Sequence, residues 1–253
     1  MWDRLHSSMR HWYRLVGHGS DGARTIERDG VVAAIVPAAP ERSFVNAVVY
    51  ERPEALAAAY DEIASAYHEV GAKWTVWVHN GDRETAELLE RAGHVLDAAP
   101  EAMALDLSEG PAERPPEDAL SDWTASGALA DVGAVNDRAY SFGGESFSRA
   151  LTRFPEGSVR VYVARLGGEP VACCATVDDG MNSEVQMVAV VPEARGRGLS
   201  GTLLAHALAD ATERRMETST LVATRLGRPV YERLGYRPLG ALEMWERRVG
   251  DAA

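Results

Sequence analysis

The residues with the clearest chemical meaning form a short glycine-rich loop. The segment Arg195-Gly196-Arg197-Gly198-Leu199-Ser200-Gly201 follows the apolar run Val185–Val191 and opens a stretch with helical spacing. Glycines let backbone N–H groups approach a pyrophosphate, and a helix start adds unpaired donors and the positive end of its dipole. Two arginines add charge and fork-shaped donors. The loop predicts a phosphate site, with an ordinary glycine-rich turn as the alternative.

The loop also satisfies the dinucleotide pattern G-x-G-x-x-G, but its surroundings argue against that ligand. A dinucleotide fold carries an acidic residue at the end of the next strand, about 20 residues further on. Here the predicted strand Thr220–Thr224 ends in Arg225, and Glu217 precedes the strand. The element before the loop follows a hairpin signal and does not open a βαβ series. A nicotinamide or flavin dinucleotide is therefore disfavoured.

The surrounding sequence predicts alternating strands and helices in two halves. For the C-terminal half it predicts strands at Val159–Ala164, Val171–Val177, Val185–Val191, Thr220–Thr224 and Leu242–Glu246, and helices at Ala128–Tyr140, Phe147–Phe154, Leu199–Arg214 and Pro229–Leu234. For the N-terminal half it predicts strands at Val31–Val36, Phe44–Tyr50, Trp74–Val78 and Ala102–Leu107, helices at Glu54–Val70 and Glu84–Ala92, and an amphipathic N-terminal helix.

The two halves are interpreted as a diverged internal repeat. Residues 88–94 match residues 230–236 in pattern, and the order of elements around them is the same. The segment between the halves is rich in Pro, Glu and Ser and is typical of a linker. We therefore assign a first domain to residues 1–110, a linker to 111–121 and a second domain to 122–253.

Composition narrows the class of protein. The net charge of -12 disfavours nucleic acid as a partner. The only cysteines, Cys173 and Cys174, are adjacent, which indicates neither a disulfide framework nor a metal site. No apolar run is long enough to span a membrane, and the first residues lack the pattern of a signal peptide. We expect a cytoplasmic protein with no metal and no membrane partner.

Two motifs resemble those of the GNAT superfamily of acyl-CoA-dependent N-acyltransferases. Val188–Ser200 resembles its cofactor motif, which reads Arg or Gln, two residues, Gly, one residue, then Gly or Ala, with Ser200 in the last place. Tyr231–Tyr236 resembles a second motif, Tyr-x-x-x-Gly-Phe, and the resemblance covers about 122–248. It implies acetyl-CoA as co-substrate and an α+β (α/β) fold of two GNAT-like domains, each with a mixed, mostly antiparallel central sheet flanked by helices.

The same resemblance implies roles for individual residues. Backbone groups around Val188, Ala189 and Val190 would bind the pantetheine arm and polarise the thioester carbonyl, and the loop Arg195–Gly201 would bind the pyrophosphate. Thr224 falls where the family usually has an Asn that contacts the cofactor. Tyr231 falls where the family has the acid that protonates the departing thiolate; the alternative is a packing tyrosine.

The chemistry favours a general base over an enzyme nucleophile. An amine attacks a thioester directly, but a lysine-like amine with a pKa of about 10.4 costs on the order of 4–5 kcal/mol to deprotonate at pH 7. Glu184, at the start of the strand leading to the loop, is the candidate base, acting directly or through water; the alternative is a solvated strand-end carboxylate. Tyr140 and Phe142 are candidate acceptor-binding residues, with core packing as their alternative.

The N-terminal half is predicted to be a degenerate copy without a cofactor site. Its strand ending at Tyr50 passes directly into Glu51-Arg52-Pro53-Glu54, which has no glycine and places two carboxylates where phosphates would lie. We expect one cofactor site per chain. Whether this half lines the acceptor pocket is left open.

Two functions remain in view. The first is an N-acyltransferase that moves an acetyl group from acetyl-CoA to a primary amine of a small molecule or of a protein N-terminus. The second is a non-catalytic acyl-CoA-binding sensor or assembly module. The sequence identifies neither the acceptor nor the oligomeric state.

Overall fold

The fold is given by a computed structural model that describes residues 1–79, 81–108, 115, 122–125, 127–140 and 144–248. Its helices are α1 (Trp2–Val16), α2 (Pro53–Glu69), α3 (Arg83–Arg91), α4 (Leu129–Ala139), α5 (Ser146–Ala150), α6 (Leu199–Glu213) and α7 (Arg228–Arg233). Apart from Pro115, the predicted linker 111–121 lies outside the described residues, and the domain boundaries stay a prediction.

The strands are β1 (Arg24–Arg28), β2 (Val31–Ile35), β3 (Ala47–Tyr50), β4 (Trp74–His79), β5 (Val95–Ala98), β6 (Glu101–Asp106), β7 (Trp123–Ala125), β8 (Arg160–Leu166), β9 (Glu169–Asp179), β10 (Asn182–Val190), β11 (Thr218–Ala223) and β12 (Arg237–Arg247). Within the described residues they form one sheet in the order β1-β2-β3-β4-β12-β6-β11-β10-β9-β8-β7, with β5 also paired to β12. The pairs β3–β4 and β10–β11 are parallel, and the other pairs are antiparallel.

Local sequence explains why several helices begin where they do. Pro53 occupies the first turn of α2, where its missing N–H has no helical partner to lose. Asp82 caps α3 by accepting a hydrogen bond from the Thr85 N–H at 3.0 Å. The inner face of α2 carries Leu56, Ile63 and Tyr67, which are fully buried.

The two halves exchange their last strands. β6, the last strand of the N-terminal half, pairs with β11 of the C-terminal half over Glu101–Asp106. β12, the last strand of the C-terminal half, pairs with β6 through Arg237–Ala241 and with β4 through Leu242–Arg247. Each half-sheet is therefore completed by a strand from the other half.

Helix α1 joins the halves on one face of this sheet. Its residues pack against β2 and β3 of the N-terminal half and against β9, β10 and β11 of the C-terminal half. Leu5, Met9, Trp12, Tyr13 and Val16 are all buried in this shared core. The opposite face of the N-terminal half is covered by α2, which packs on β1, β2 and β3.

The predicted fold class is confirmed, and several element bounds are corrected. The strand predicted from Phe44 begins at Ala47, because residues 41–46 form a turn, and the helix predicted at Phe147–Phe154 spans only Ser146–Ala150. Strands β1, β5 and β7 were not predicted. β5 is exposed along its whole length and β7 has three residues, so neither shows the alternation that marks a half-buried strand.

Candidate active site

The site forms where two parallel strands separate. β10 and β11 pair only at Asn182–Glu184 with Thr218–Thr220. β10 continues to Val190, and β11 continues to Ala223, without further pairing between them. Backbone groups on the facing edges are thereby left for a ligand, because a strand edge without a partner presents unpaired donors and acceptors.

A bulge shapes the β10 side of this gap. The pairing of β10 with β9 shifts register between Gln186 and Ala189, and Met187 has a φ of 54°, rare for a residue other than glycine. The Met187 carbonyl accepts hydrogen bonds from Asn136 Nδ2 and from Cys173 Sγ, both at 3.3 Å. The bulge is therefore held from α4 and from β9.

Sequence reasoning missed this support. Asn136 is a buried amide on α4, and both cysteines are fully buried. Burial raises the pKa of Cys173 to about 12, so its thiol stays protonated and donates a hydrogen bond. A polar residue among the apolar positions of α4 was the signal that could have marked Asn136.

The backbone of Val190 faces the gap. The Val191 N–H donates to the Val171 carbonyl of β9 at 2.9 Å, so the peptide groups of Val190 point to the other edge of β10. The Val190 carbonyl accepts from Arg195 Nε at 3.2 Å, which leaves its N–H for a ligand. Val188 is partly exposed, and Ala189 is buried and paired with Cys173. These positions suit the backbone contacts expected of Val188–Val190.

The glycine loop follows directly. Gly196 and Gly198 have φ values of 77° and 75°, and a Cβ at either would meet nothing within 4 Å, so their backbone faces open space. No described residue accepts a hydrogen bond from the N–H groups of residues 196–201, and α6 has no side-chain cap. Six successive donors at a helix start therefore remain for an anion.

The two loop arginines lie in different environments. Arg195 is tied to the protein, with Nη2 donating to the Ala139 carbonyl at 2.9 Å in addition to its bond to Val190. It links the end of α4 to the end of β10. Arg197 is exposed and forms no hydrogen bond or ion pair with a described residue, so its guanidinium is the loop cation left for a ligand.

Thr224 and Tyr231 border the β11 side of the gap. The exposed Thr224 fixes the turn before α7, because its hydroxyl accepts from the Gly227 N–H at 3.2 Å and its carbonyl from the Gly227 and Arg228 N–H groups. The buried ring of Tyr231 packs edge-on against Tyr236 at 6.0 Å, and its hydroxyl makes no hydrogen bond to a described residue. Burial raises the pKa of Tyr231 above the ordinary phenol value, so its hydroxyl holds its proton.

Glu184 is not a strand-end carboxylate in solvent, as its alternative interpretation supposed. It is the third residue of β10 and is fully buried. Asn182, two residues earlier on the same face, donates to Ser8 Oγ of α1 at 2.8 Å, so Glu184 also faces α1. Neither carboxyl oxygen has a hydrogen-bond partner among the described residues.

This environment changes the acidity of Glu184. Burial raises its pKa well above the ordinary carboxyl value; the Gln186 side chain opposes the rise and the Asp179 carboxylate adds to it. A carboxylate with a raised pKa is a stronger base when it is ionised, which suits proton removal from an ammonium group.

The predicted acceptor-side residues are only partly described. Tyr140 follows α4, is 44% exposed, and lies 6.2 Å from the ring of Phe147. Phe147 itself is buried. Phe142 lies outside the described residues, so its expected contact with the acceptor stays a prediction.

The equivalent gap in the N-terminal half is filled by side chains. The parallel pairing of β3 and β4 covers only Ala47–Val48 with Thr75–Val76. The buried Tyr50 hydroxyl donates to Asp82 at 2.5 Å, and its ring lies 6.0 Å from that of His79. His79 also stacks with Trp2 at 5.7 Å and lies 3.7 Å from His6.

The acidic residues expected to repel phosphates in the N-terminal half are paired. Glu51 lies 2.6 Å from Arg10, and Glu54 lies 3.3 Å from Arg52. The rings of Tyr50, His79 and Trp2, which occupy the gap, therefore exclude a ligand more directly than these paired carboxylates do.

The described residues contain no group of three or more His, Cys, Asp or Glu side chains placed to hold a metal ion. None of their helices combines the length and the apolar character that a membrane crossing requires.

Part of the sequence and the overall fold are similar to those of known proteins. Residues 157–238 match the family model described as an acetyltransferase (GNAT) domain. No curated protein matches the sequence. Among solved structures, a GCN5-related N-acetyltransferase from Kribbella flavida is similar with a TM-score of 0.63 and 17% identity, covering 96% of this chain and 95% of that one.

Two further structures are similar over most of their length. A putative acetyltransferase of the GNAT family from Novosphingobium aromaticivorans has a TM-score of 0.58 and 17% identity, with 93% of this chain and 94% of that chain covered. A tandem GNAT protein from the clavulanic acid biosynthesis pathway has a TM-score of 0.57 and 17% identity, with 92% and 82% covered. At these identities the likeness concerns the fold.

Proposed function

Because residues 157–238 carry a GNAT acetyltransferase domain in a chain with the fold of GCN5-related N-acetyltransferases, we propose that the protein transfers an acetyl group from acetyl-CoA to a primary amine. The acceptor is a small molecule or a protein N-terminus. The observation that carries the proposal is the row of six unpaired N–H groups at residues 196–201, beside the open edge of β10.

The residues present fit acetyl-CoA. The loop donors and Arg197 suit its pyrophosphate, and the Val190 N–H on the edge of β10 suits an amide or thioester carbonyl. Acetyl-CoA supplies an activated acetyl group that a neutral amine attacks directly, releasing the thiol.

The protein's own part in the reaction is proton handling. Glu184 takes a proton from the ammonium form of the acceptor, directly or through water, and Tyr231 donates its proton to the leaving sulfur. Glu184 faces α1, whereas Tyr231 is carried by α7, which packs against α6 beside the end of β11. Thus the base and the acid would act from the two sides of the gap.

A first experiment measures acetyl-CoA turnover, as free thiol released, with a panel of primary amines. Tyr231→Phe keeps the ring and removes the hydroxyl, so we expect kcat to fall by at least about tenfold, with CoA affinity unchanged. CoA affinity is measured by calorimetry. Tyr236→Phe is not a suitable control, because the Tyr236 hydroxyl is hydrogen-bonded to Ser219 and its removal would change more than one group.

The non-catalytic binding module makes a different prediction. It binds acetyl-CoA through the same loop but turns over no amine, and Tyr231→Phe then changes nothing measurable. Full activity of Tyr231→Phe would contradict the assignment of Tyr231 as the acid while leaving the transferase intact.

A further inference from the structure

A turn of the N-terminal half lies against α5 of the C-terminal half. This turn, residues 41–46, connects β2 and β3. Glu41 accepts hydrogen bonds from Ser146 and from Arg149 Nη2, the latter at 3.0 Å. The Arg42 guanidinium carbon lies 5.9 Å from the ring centroid of Phe147. The turn is therefore fixed to α5.

Phe44 lies at the centre of an arc of aromatic rings that crosses between the halves. Its ring is 6.3 Å from Trp77 and 6.4 Å from Phe147, both near edge-to-face, and Phe147 is 6.2 Å from Tyr140. Trp77 and Phe147 are buried, whereas Phe44 and Tyr140 keep exposed surface. The exposed faces of the arc thus belong to one residue from each half.

The same turn is bonded to the helix that covers Glu184. The Tyr13 hydroxyl of α1 donates to the Phe44 carbonyl at 3.1 Å and accepts from Trp77 Nε1 at 2.8 Å. Tyr13 and Ser8 both belong to α1, the helix that Glu184 faces. At its other end the arc reaches Tyr140, which follows the Ala139 carbonyl held by Arg195. Phe44 therefore lies between α1, which covers the candidate base Glu184, and the glycine loop that begins at Arg195.

We propose that Phe44 is a specificity-determining residue, which forms the N-terminal half's wall of the acceptor pocket opposite Tyr140. The inference rests on the proposed function. It identifies the acceptor class as a primary monoamine with an apolar or aromatic body next to the amine, because aromatic rings stabilise such a body by burying its surface. An acceptor with a second positive charge is disfavoured, because contact with apolar rings removes that charge from water.

The test compares Phe44→Ala with Phe154→Ala. Phe154 is a matched control, since it is also partly buried at the junction of the halves and packs edge-on against a tryptophan, Trp12, at 5.6 Å. The probes are 2-phenylethylamine, ethylamine and spermidine. We expect Phe44→Ala to raise KM for 2-phenylethylamine by about tenfold or more, with a much smaller change for ethylamine, as for loss of one buried apolar contact.

The control variant and the binding of CoA give two further expected results. Phe154→Ala should leave the ratio of the two KM values unchanged, and both variants should bind CoA like the wild type. In the wild type, spermidine should have a lower kcat/KM than 2-phenylethylamine. Equal changes in KM for both monoamines in Phe44→Ala, or the same change in Phe154→Ala, would overturn the inference.

A second measurement separates this inference from the proposed function. Saturation-transfer NMR on the CoA-bound protein reads amine binding without turnover. Binding of 2-phenylethylamine that Phe44→Ala weakens, without thiol release in the wild type, would reject the transferase and support the pocket. No binding of any probe would contradict the pocket.

A third variant covers the case in which Phe44→Ala does not fold. Phe44→Cys introduces an accessible thiol, whereas Cys173 and Cys174 are fully buried and should not react. We expect 2-phenylethylamine to slow maleimide labelling of the new thiol by at least about fivefold at saturation, as steric protection by a bound ligand requires. Unchanged labelling would overturn the inference.

Discussion

Among the described residues two pairs of parallel strands separate, and of these the C-terminal pair alone keeps its gap free of packed rings. In the C-terminal half, β10 continues from Glu184, its last residue paired with β11, to Val190 and leads into a loop with two left-handed glycines. In the N-terminal half, β3 continues from Val48 only to Tyr50 before Pro53 starts α2. The connection after the strand, and not the strand pairing, decides which gap can bind.

The side chains at the two gaps extend this contrast. The N-terminal gap holds Tyr50, His79 and Trp2 in ring contact, with Tyr50 bonded to Asp82. At the C-terminal gap the comparable edges carry Val188 and Val190, which are partly exposed. Two halves with the same strand geometry can thus differ in role: one gap stays open for a ligand, and the other is filled by packed side chains.

The largest expected effect is on the loop. Gly198→Trp places a large side chain in the open space above residues 196–201 at a φ of 75° that favours glycine. We expect CoA binding to weaken by more than about a hundredfold, because losing two charge-assisted hydrogen bonds of about 1.5–3 kcal/mol each is enough. Gly157→Trp is the matched control, with a φ of 76° and no neighbour within 4 Å. Calorimetry with CoA distinguishes them, and retained affinity in Gly198→Trp would refute the loop assignment.

The next effect concerns the buried acid. Glu184→Gln removes the base, so kcat should fall by about a hundredfold with CoA affinity unchanged. The pKa of Glu184 is raised in the folded protein, so the folded state holds its proton at pH values where the unfolded chain has lost it. The free energy of unfolding therefore falls as pH rises from the ordinary carboxyl pKa towards the pKa of the folded state. The glutamine variant lacks this loss and should be more stable than the wild type at pH 8.

Two measurements check that prediction. Denaturant unfolding at pH 5 and pH 8 gives the stability difference, and thiol release gives kcat. The exposed Glu169→Gln serves as control and should change neither. Loss of stability at pH 8 together with full activity would show that Glu184 is only a packing residue.

A smaller effect tests the filled gap. Burial, with His79 and Arg10 nearby, lowers the pKa of His6 to about 3 from 6.5. The folded protein holds His6 neutral while the unfolded chain binds a proton, so stability is lost as pH falls below 6.5. Between pH 6.5 and pH 5 the loss from this residue is about 2 kcal/mol. His6→Gln should show less acid destabilisation than the exposed control His68→Gln in urea unfolding; equal acid sensitivity in both would count against a neutral, buried His6.

The parts of the site that sequence could predict are local ones. The loop Arg195–Gly201 is recognisable because its glycines, arginines and following helix lie next to one another. Tyr231 follows from a short motif in the same way. Four of the six free N–H groups, those of residues 198–201, are the ones that every α-helix start leaves unpaired, and the other two belong to the loop before it.

The parts that sequence could not predict depend on distant segments. Glu184 is buried by α1, whose residues precede it by more than 160 positions, so its pattern alone fits a strand-end carboxylate equally well. The exchange of β6 and β12 is equally hidden, because the sequence of either strand does not specify which half supplies its pairing partner. Phe44 was assigned to a strand and is in a turn that contacts the other half.

The central claim is that one gap binds and the other does not. Titration of the full chain with CoA in a calorimeter tests it directly, because the number of sites per chain is read from the equivalence point. The account predicts one site per chain, which Gly198→Trp abolishes. Two sites per chain, or one site that survives in Gly198→Trp, would contradict it.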